Sequence, residues 1–329
     1  MPTPTAQTIW NMSNTQLQAL LDSQALKPKT GTTHFYAPSF SPYKTPTYTP
    51  PATACPTISV TGNTCALNCK HCGRRVLKTM QPALTPTELW LLGSKLRRGG
   101  AEGVLVSGGC LPDGSVPLKV FASVLGRFKR ELGLTVFVHT GLVGAETAQA
   151  LGEAGVDAAL IDVLGSQQTI KQTLNLKATP QDYADALKAL SDAKLRVVPH
   201  VIVGLNNGKL DGELHALEIA KQIQPAAVVI IAFMPLCGTE MAQTKPPTAI
   251  DVARVAAAAR VRFPDVPLAL GCMRPKGKLR AEIDVLSLKA GVDAIAFPSE
   301  AAVQYAESRG HHTVFSPLCC AQIHLDLKQ

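Results

Sequence analysis

The sequence predicts an α/β fold, a (β/α)8 barrel of the TIM type, and three observations carry that prediction. Short apolar runs rich in Val and Ile recur eight times, each run is followed by a helix-length stretch, and the runs are continuously apolar rather than alternating. Continuously apolar strands interleaved with helices belong to a parallel sheet covered on both faces, and eight such units suggest closure into a barrel. A chain of 329 residues with 46% hydrophobic content is long enough for one such domain.

In chain order the runs are TISVTG at 57–62, GVLVS at 103–107, LTVFVHT at 134–140, VDAALIDV at 156–163, LRVVPHVIVG at 195–204, AAVVIIAFM at 226–234, VPLALGC at 266–272 and VDAIAF at 292–297. Between them, helix starts are signalled locally. Thr85-Pro86-Thr87-Glu88 sets an N-cap threonine before a proline at the first helical position and a glutamate able to close a capping box. Thr179 with Asp182 and Thr248 with Asp251 are variants of that box, and Ser299 caps the helix after the last strand. Gly99, Gly133 and Gly291 end helices before the next strand. Residues 1–54 differ: one helical pattern near Asn14–Ser23 precedes a stretch rich in Pro, Thr and Tyr that reads as an extended arm. The expected division is therefore an arm over 1–54, a barrel over 55–310 and a tail over 311–329, folded back across the barrel mouth.

Composition narrows the function classes. No uninterrupted apolar run reaches 18 residues, and the Thr/Pro-rich N-terminus lacks the basic and apolar regions of a signal peptide, so a cytoplasmic protein without a membrane partner is expected. Nine cysteines, an odd number, in such a chain point to metal or redox chemistry rather than a disulfide framework. The net charge of +8 favours an acidic partner, with basic residues gathered at Lys70, Arg74, Arg75 and Lys78 and again at Arg274, Lys276, Lys278 and Arg280. Two Trp and five Tyr offer no evident stacking platform, so nucleic acid is not expected as a partner.

In a barrel of this kind the chemistry sits where strands end. Beyond the first strand, CALNCKHC places Cys65, Cys69 and Cys72 in a CxxxCxxC spacing, which supplies three thiolates to a 4Fe-4S cluster and leaves one iron for a small ligand. Zinc would need a fourth ligand, and the only close candidate, His71, lies wrongly between two of the cysteines. The second strand runs into Ser107-Gly108-Gly109-Cys110, where glycine lets a ligand approach the backbone. His139 and Asp162 end the third and fourth strands, and the fifth holds His200 and Gly204; a histidine at such a place serves packing as readily as binding. The sixth leads to Cys237. The seventh leads to Cys272 and Arg274, a side chain that can clamp a carboxylate by two parallel hydrogen bonds or form an ion pair on a barrel loop. The tail carries the adjacent pair Cys319 and Cys320. They are either small buried apolar residues or, with Cys272 and with Cys110 and Cys237 as further candidates, ligands of a second cluster.

From about Cys55 onward these motifs resemble the biotin-synthase-like branch of the radical SAM superfamily. SVTGNTCALNCKHC, the SGG turn, HTGLV, GCMRP, GVDAIAFPSE and the terminal CC pair are together similar to the two-component lipoyl synthases. The resemblance implies that S-adenosylmethionine (SAM) completes the first cluster, with cosubstrate contacts from His71, Ser107, Gly108, Gly109, His139, Asp162, His200, Gly204 and Arg274. Cys110 stands where the family motif has glutamate. The resemblance further implies an external electron donor, hydrogen abstraction from the octanoyl chain of an octanoylated lipoyl-domain carrier protein, and sulfur from an auxiliary 4Fe-4S cluster. A sister radical SAM subunit would serve the other insertion. Biotin synthase draws its second-cluster ligands from central strands and an arginine, whereas the third, fourth and fifth strands here contain no cysteine. The open alternatives are another biotin-synthase-like enzyme (biotin synthase, radical mutase or metallocofactor maturase) and a non-catalytic iron–sulfur protein.

Overall fold

Every expected apolar run contains a strand in the computed structural model, which describes residues 4–46 and 48–327; the first three residues and Thr47 of the arm and the last two of the tail lie outside the described residues. The strands are β1 (Thr32–Tyr36), β2 (Thr57–Ser59), β3 (Gln81–Pro82), β4 (Gly103–Ser107), β5 (Thr135–His139), β6 (Ala158–Val163), β7 (Val197–Val203), β8 (Val228–Ala232), β9 (Leu268–Leu270), β10 (Ala294–Ala296) and β11 (His312–Ser316). They form one sheet in the order β11-β1-β10-β9-β8-β7-β6-β5-β4-β2-β3. All of its pairings are parallel, as buried α/β strands require.

Closure is where the structure departs from the expectation. β10 does not bond to β2; its free edge is taken by β1 from the arm, and β1 in turn carries β11 from the tail. The result is an open barrel. A strand edge needs a backbone partner, and here the arm supplies the one that closure would have used. The arm is pinned by Arg254 of the helix Ala249–Arg262, whose buried guanidinium donates to the carbonyls of Ile9, Trp10 and Met12.

The helix starts form as their chemistry dictates. Thr248 and Asp251 close a reciprocal box, and Thr85 accepts from the Glu88 amide at 3.1 Å, although the Glu88 carboxylate takes the amide of Leu84 rather than that of Thr85.

Alternation along the strands decides which side chains face the lumen. Val136 and Val138, Ala159 and Ile161, and Val197 and Val201 pack outward against the helices, while Phe137, Leu160 and Val198 belong to a second, interior cluster. The same parity turns His139 and Asp162 inward at the C-terminal ends of β5 and β6, and His200 inward midway along β7. That interior cluster also holds Leu318, Cys319, Cys320, Ala321 and Ile323 of the tail, so the tail lies within the barrel. Burial of Leu318 and Ile323 contributes about 1.5–3 kcal/mol each, which offsets part of the entropy of ordering the tail. The Tyr36 hydroxyl donates to the Asp326 carboxylate and ties the tail to β1.

Candidate active site

The loop after β2 is shaped before any ligand arrives. Asn68, Gly73 and Arg74 adopt positive φ, and the amides of Cys72 and Gly73 both donate to the Cys69 carbonyl, at 3.0 and 2.8 Å, curling Cys65–Cys72 into a compact turn. Outside contacts hold the turn in place: Asn175 Nδ2 donates to the carbonyls of Leu67 and Asn68 at 3.2 and 3.3 Å, and the Lys70 amide donates to Thr173 O at 2.9 Å. All three thiols are free and half-buried, and the charges of Cys65 and Cys72 are both felt at Cys69. Burial pushes the Cys69 thiol up to about 12, and it donates to Leu174 O at 3.2 Å. Cys65 is held down at about 5, chiefly by the hydrogen bond it receives from the Cys110 thiol.

The Ser107–Cys110 turn is pressed onto this loop. Gly109 N donates to Thr61 Oγ1 at 2.7 Å, Cys110 N to Cys65 Sγ at 3.3 Å, and Ala66 N to Cys110 O at 2.7 Å. Glycine is required at 109: a Cβ there would lie 2.0 Å from Thr64 O and 2.5 Å from Cys65 Cβ. Gly109→Ala is therefore expected to displace the cluster loop. Iron retained per chain after reconstitution should fall severalfold, and the urea midpoint should drop by the equivalent of about 1–3 kcal/mol.

Beside the thiols stands a polar group built from inward-facing residues of β5, β6 and β7. His139 Nε2 lies 3.6 Å from Asp162 Oδ1, the His139 and His200 rings meet edge to face at 5.5 Å, and His200 Nδ1 bonds Val198 O at 3.0 Å. Ser107 donates its hydroxyl to His139 O at 2.9 Å. Burial lowers His71 and His200 to about 4. Burial is the largest influence on His139 and acts to lower it, but the charge and hydrogen bonding of Asp162 together with the Cys319 charge outweigh it, and the imidazole ends above its ordinary range. Asp162 ends below its ordinary range: burial raises it, and His139, His200 and His71 together outweigh burial.

The pH consequence of the pair has a definite sign. His139's contribution to stability is complete below its ordinary pKa of 6.5 and is lost as pH rises through the raised value. Asp162's is present above 3.8 and is lost as pH falls through the depressed value. The pair thus stabilises most between those two ordinary values. Asp162→Asn should drop the His139 pKa below about 6.5, because burial remains while the charge is gone; NMR titration of the histidine ring checks this.

One buried atom in this region, His71 Nδ1, has no hydrogen-bond partner, and Asp162 Oδ1 makes no hydrogen bond beyond its 3.6 Å ion pair with His139. An orphaned polar atom beside three thiols suits a polar ligand, and three thiols on one turn suit an iron–sulfur cluster. Among the described residues no three His, Cys, Asp or Glu side chains stand arranged around a metal ion. Cys65 and Cys69 are instead hydrogen-bonded as free cysteines, and Cys69 must release Leu174 O to ligate. The donor set and the loop fit the group. Tyr183, buried on the helix Pro180–Asp192, has its pKa raised by burial and senses Asp162, Cys69 and Cys110. Neither Tyr183 nor Thr61 was singled out by the sequence, because only the register of helix and loop brings them here.

The remaining candidates separate. Arg274 is corrected: its side chain is fully buried and donates to Asp284 at 2.7 Å, to Gly271 O and Ala296 O at 2.6 and 2.7 Å, and to Phe297 O at 3.1 Å, so no face is left for a carboxylate ligand. The Gly204 amide is taken by Glu213 Oε1 at 2.8 Å. Cys110 pairs with Cys65 rather than with the tail cysteines, and Cys237 is exposed on the loop after β8. Cys272, however, packs against the interior cluster that contains Cys319 and Cys320. Burial pushes Cys272 up to about 11, and the Cys320 thiol donates to Cys319, lowering the latter. The fully buried Cys55, unmarked in the sequence, lies in the same interior cluster.

Comparison with known proteins agrees with this geometry. Residues 59–217 match the model of the radical SAM superfamily. Biotin synthase of Acidithiobacillus ferrooxidans is 22% identical over 271 residues, covering 80% of this chain and 84% of that protein. Biotin synthase of Zymomonas mobilis is 25% identical over 249 residues, 73% of this chain and 72% of that protein. Among solved structures, methylornithine synthase (PylB) shares the fold with a TM-score of 0.62 at 15% identity, over 98% of this chain and 94% of that one.

Proposed function

Starting from a chain whose residues 59–217 match the model of the radical SAM superfamily, we propose that it is a sulfurtransferase of the lipoyl synthase type, inserting sulfur into an unactivated C–H bond of a protein-bound octanoyl chain. When bound at Cys65, Cys69 and Cys72, the first cluster supplies an electron to SAM for hydrogen abstraction, chemistry that no side-chain acid or base provides. The chain's own residues bind and orient. The Gly108 side of the turn would receive the methionyl end, the Gly109 amide being held by Thr61, and His71, His139, Asp162 and His200 offer polar contacts to the nucleoside end.

The observation that carries the sulfur-insertion reading is that Cys272 packs against the interior cluster to which the adjacent tail pair Cys319 and Cys320 belongs. Among the described residues these thiols are not grouped as a ligand set, so an auxiliary 4Fe-4S cluster as sulfur donor would require them to draw together on binding it. Lys276 and Lys278, exposed close after Cys272, suit an acidic lipoyl-domain carrier, although Arg274 of that basic group is buried. Among the described residues no helix is long and apolar enough to cross a membrane.

Mass spectrometry of an octanoylated lipoyl-domain peptide, incubated with reductant, SAM and the reconstituted protein, tests the reading. A gain of one sulfur is expected. The curated relatives favour biotin synthase as the second reading; formation of biotin with an unmodified peptide would establish that reading instead.

A further inference from the structure

We propose that the solvent face of the cluster loop, from Lys70 to Lys78 together with Lys171, Lys177 and Lys245, is the docking surface for an acidic one-electron carrier protein, and that the electron for the first cluster enters there. The proposal rests on the radical SAM reading of Cys65, Cys69 and Cys72, and is independent of which substrate is thiolated.

Contacts assemble this face from three segments distant in the chain. The Lys70 amide donates to Thr173 O at 2.9 Å and Asn175 Nδ2 to Leu67 O at 3.2 Å, which sets the segment carrying Lys171 and Lys177 beside the loop. On the other side the Met241 amide donates to Lys70 O at 3.4 Å, Arg75 Nη2 donates to Gly238 O at 3.4 Å, and Gly73 lies against Thr239. Those contacts bring up the segment that carries Lys245. Arg74, Arg75, Lys78, Lys171, Lys177 and Lys245 are all exposed, and Val76 is exposed among them.

Charge on the face is one-sided. No Asp or Glu occurs between Asp22 and Glu88 or between Asp162 and Asp182, and Glu240 is the one carboxylate from Gly238 to Lys245. Exposed lysines on the outer helices are paired, Lys119 with Glu146 and Lys188 with Asp192. Among the described residues none of the cations of this face forms an ion pair. Unpaired cations gathered on one face attract an anionic partner from a distance and raise its encounter rate.

Position decides which acidic partner. Half-buried Cys72 is followed directly by Gly73 and the exposed Arg74, so a carrier seated here stands next to the cluster ligands. Electron transfer needs that closeness, while an acyl carrier must present its chain to the lumen and is served by Lys276 and Lys278 after β9. Redox partners meet through small interfaces in which charge sets the association rate. The step itself is simple: the reduced carrier gives up one electron, the oxidised cluster takes it, and no bond forms or breaks.

Stopped-flow reduction of the anaerobically reconstituted full chain by the hydroquinone of an acidic flavodoxin, alongside calorimetric titration with the oxidised flavodoxin, is the test. Lys78→Glu with Lys171→Glu should lower both the second-order rate and the affinity about tenfold at low ionic strength. The difference should close at about 0.5 M salt, where exposed charges are screened. Iron per chain and photoreduction by uncharged deazariboflavin should stay at the wild-type level, and Lys276→Glu with Lys278→Glu should be reduced by flavodoxin at the wild-type rate. Equal slowing by both charge reversals overturns the proposal, since net charge rather than this face would then be felt. Weakened binding of an octanoylated lipoyl domain with flavodoxin reduction unchanged also overturns it and gives the face to the acyl carrier. A wild-type protein that assembles no cubane overturns the radical SAM reading along with it, whereas an intact cubane with unchanged kinetics in Lys78→Glu with Lys171→Glu removes only the docking face.

Discussion

Cys69→Ala is expected to leave a folded protein that has lost its first cluster: 5′-deoxyadenosine formation from SAM and reductant falls to background, and iron per chain falls by one cubane's worth. Cys69 is the middle thiol of the turn and the one that senses both of the others, so its removal leaves two donors that cannot hold a cubane. The loop itself survives the change. Its shape comes from backbone bonds to the Cys69 carbonyl and from Asn175, none of which needs the thiol. Stability should therefore change by no more than about 1 kcal/mol, since a half-buried sulfur is a small loss. Chromatographic assay of deoxyadenosine alongside iron analysis checks both halves. Wild-type iron and turnover in this variant would remove Cys69 from the cluster.

The second large effect is on stability rather than chemistry. Arg274→Met should destabilise the protein by about 3–5 kcal/mol, because it leaves Asp284 charged and buried without its partner. Both side chains are fully buried, and the same guanidinium ties Gly271 after β9 to Ala296 and Phe297 at the end of β10. Asp284 also accepts from the Ser299 amide at 2.7 Å, so the pair fastens the loops after two neighbouring strands to one helix. The double variant, Arg274→Met with Asp284→Leu, should recover part of the loss, as an apolar pair of similar volume carries no stranded charge. Urea unfolding of the wild type, the single variant and the double variant measures this. If Arg274 instead clamped a bound carboxylate, the single variant would keep its urea midpoint and raise the KM for SAM.

Cys69 and Arg274 mark how far the site could be read in advance. The triad was legible because its information is local: three thiols within eight residues define a ligand set whatever surrounds them. Arg274 was not legible. Its partner Asp284 lies on the next helix and its acceptor carbonyls on two strand ends, so an arginine at a barrel mouth looks the same in sequence whether it waits for a ligand or is already spent. Cys110 shows the same limit, since its neighbour Cys65 is 45 positions away and only the register of β4 against β2 joins them. His139 and Asp162 were legible as strand ends and His200 as a residue within the fifth strand, but their meeting follows from the parity of three separate strands.

The parallel α/β architecture, its eight expected strands and the cluster loop all follow from information carried along the chain, because continuous apolar runs, capping residues and closely spaced thiols act through near neighbours. The open edge and its occupants needed the assembled fold. A run such as THFY in the arm has no signal strong enough to mark β1, and it becomes a strand because β10 presents an unpaired edge and Arg254 holds the arm beside it. The path of the tail into the lumen is of the same kind. It depends on the apolar interior that the other strands have already formed, and it is that interior that takes in Cys319 and Cys320 and against which Cys272 packs.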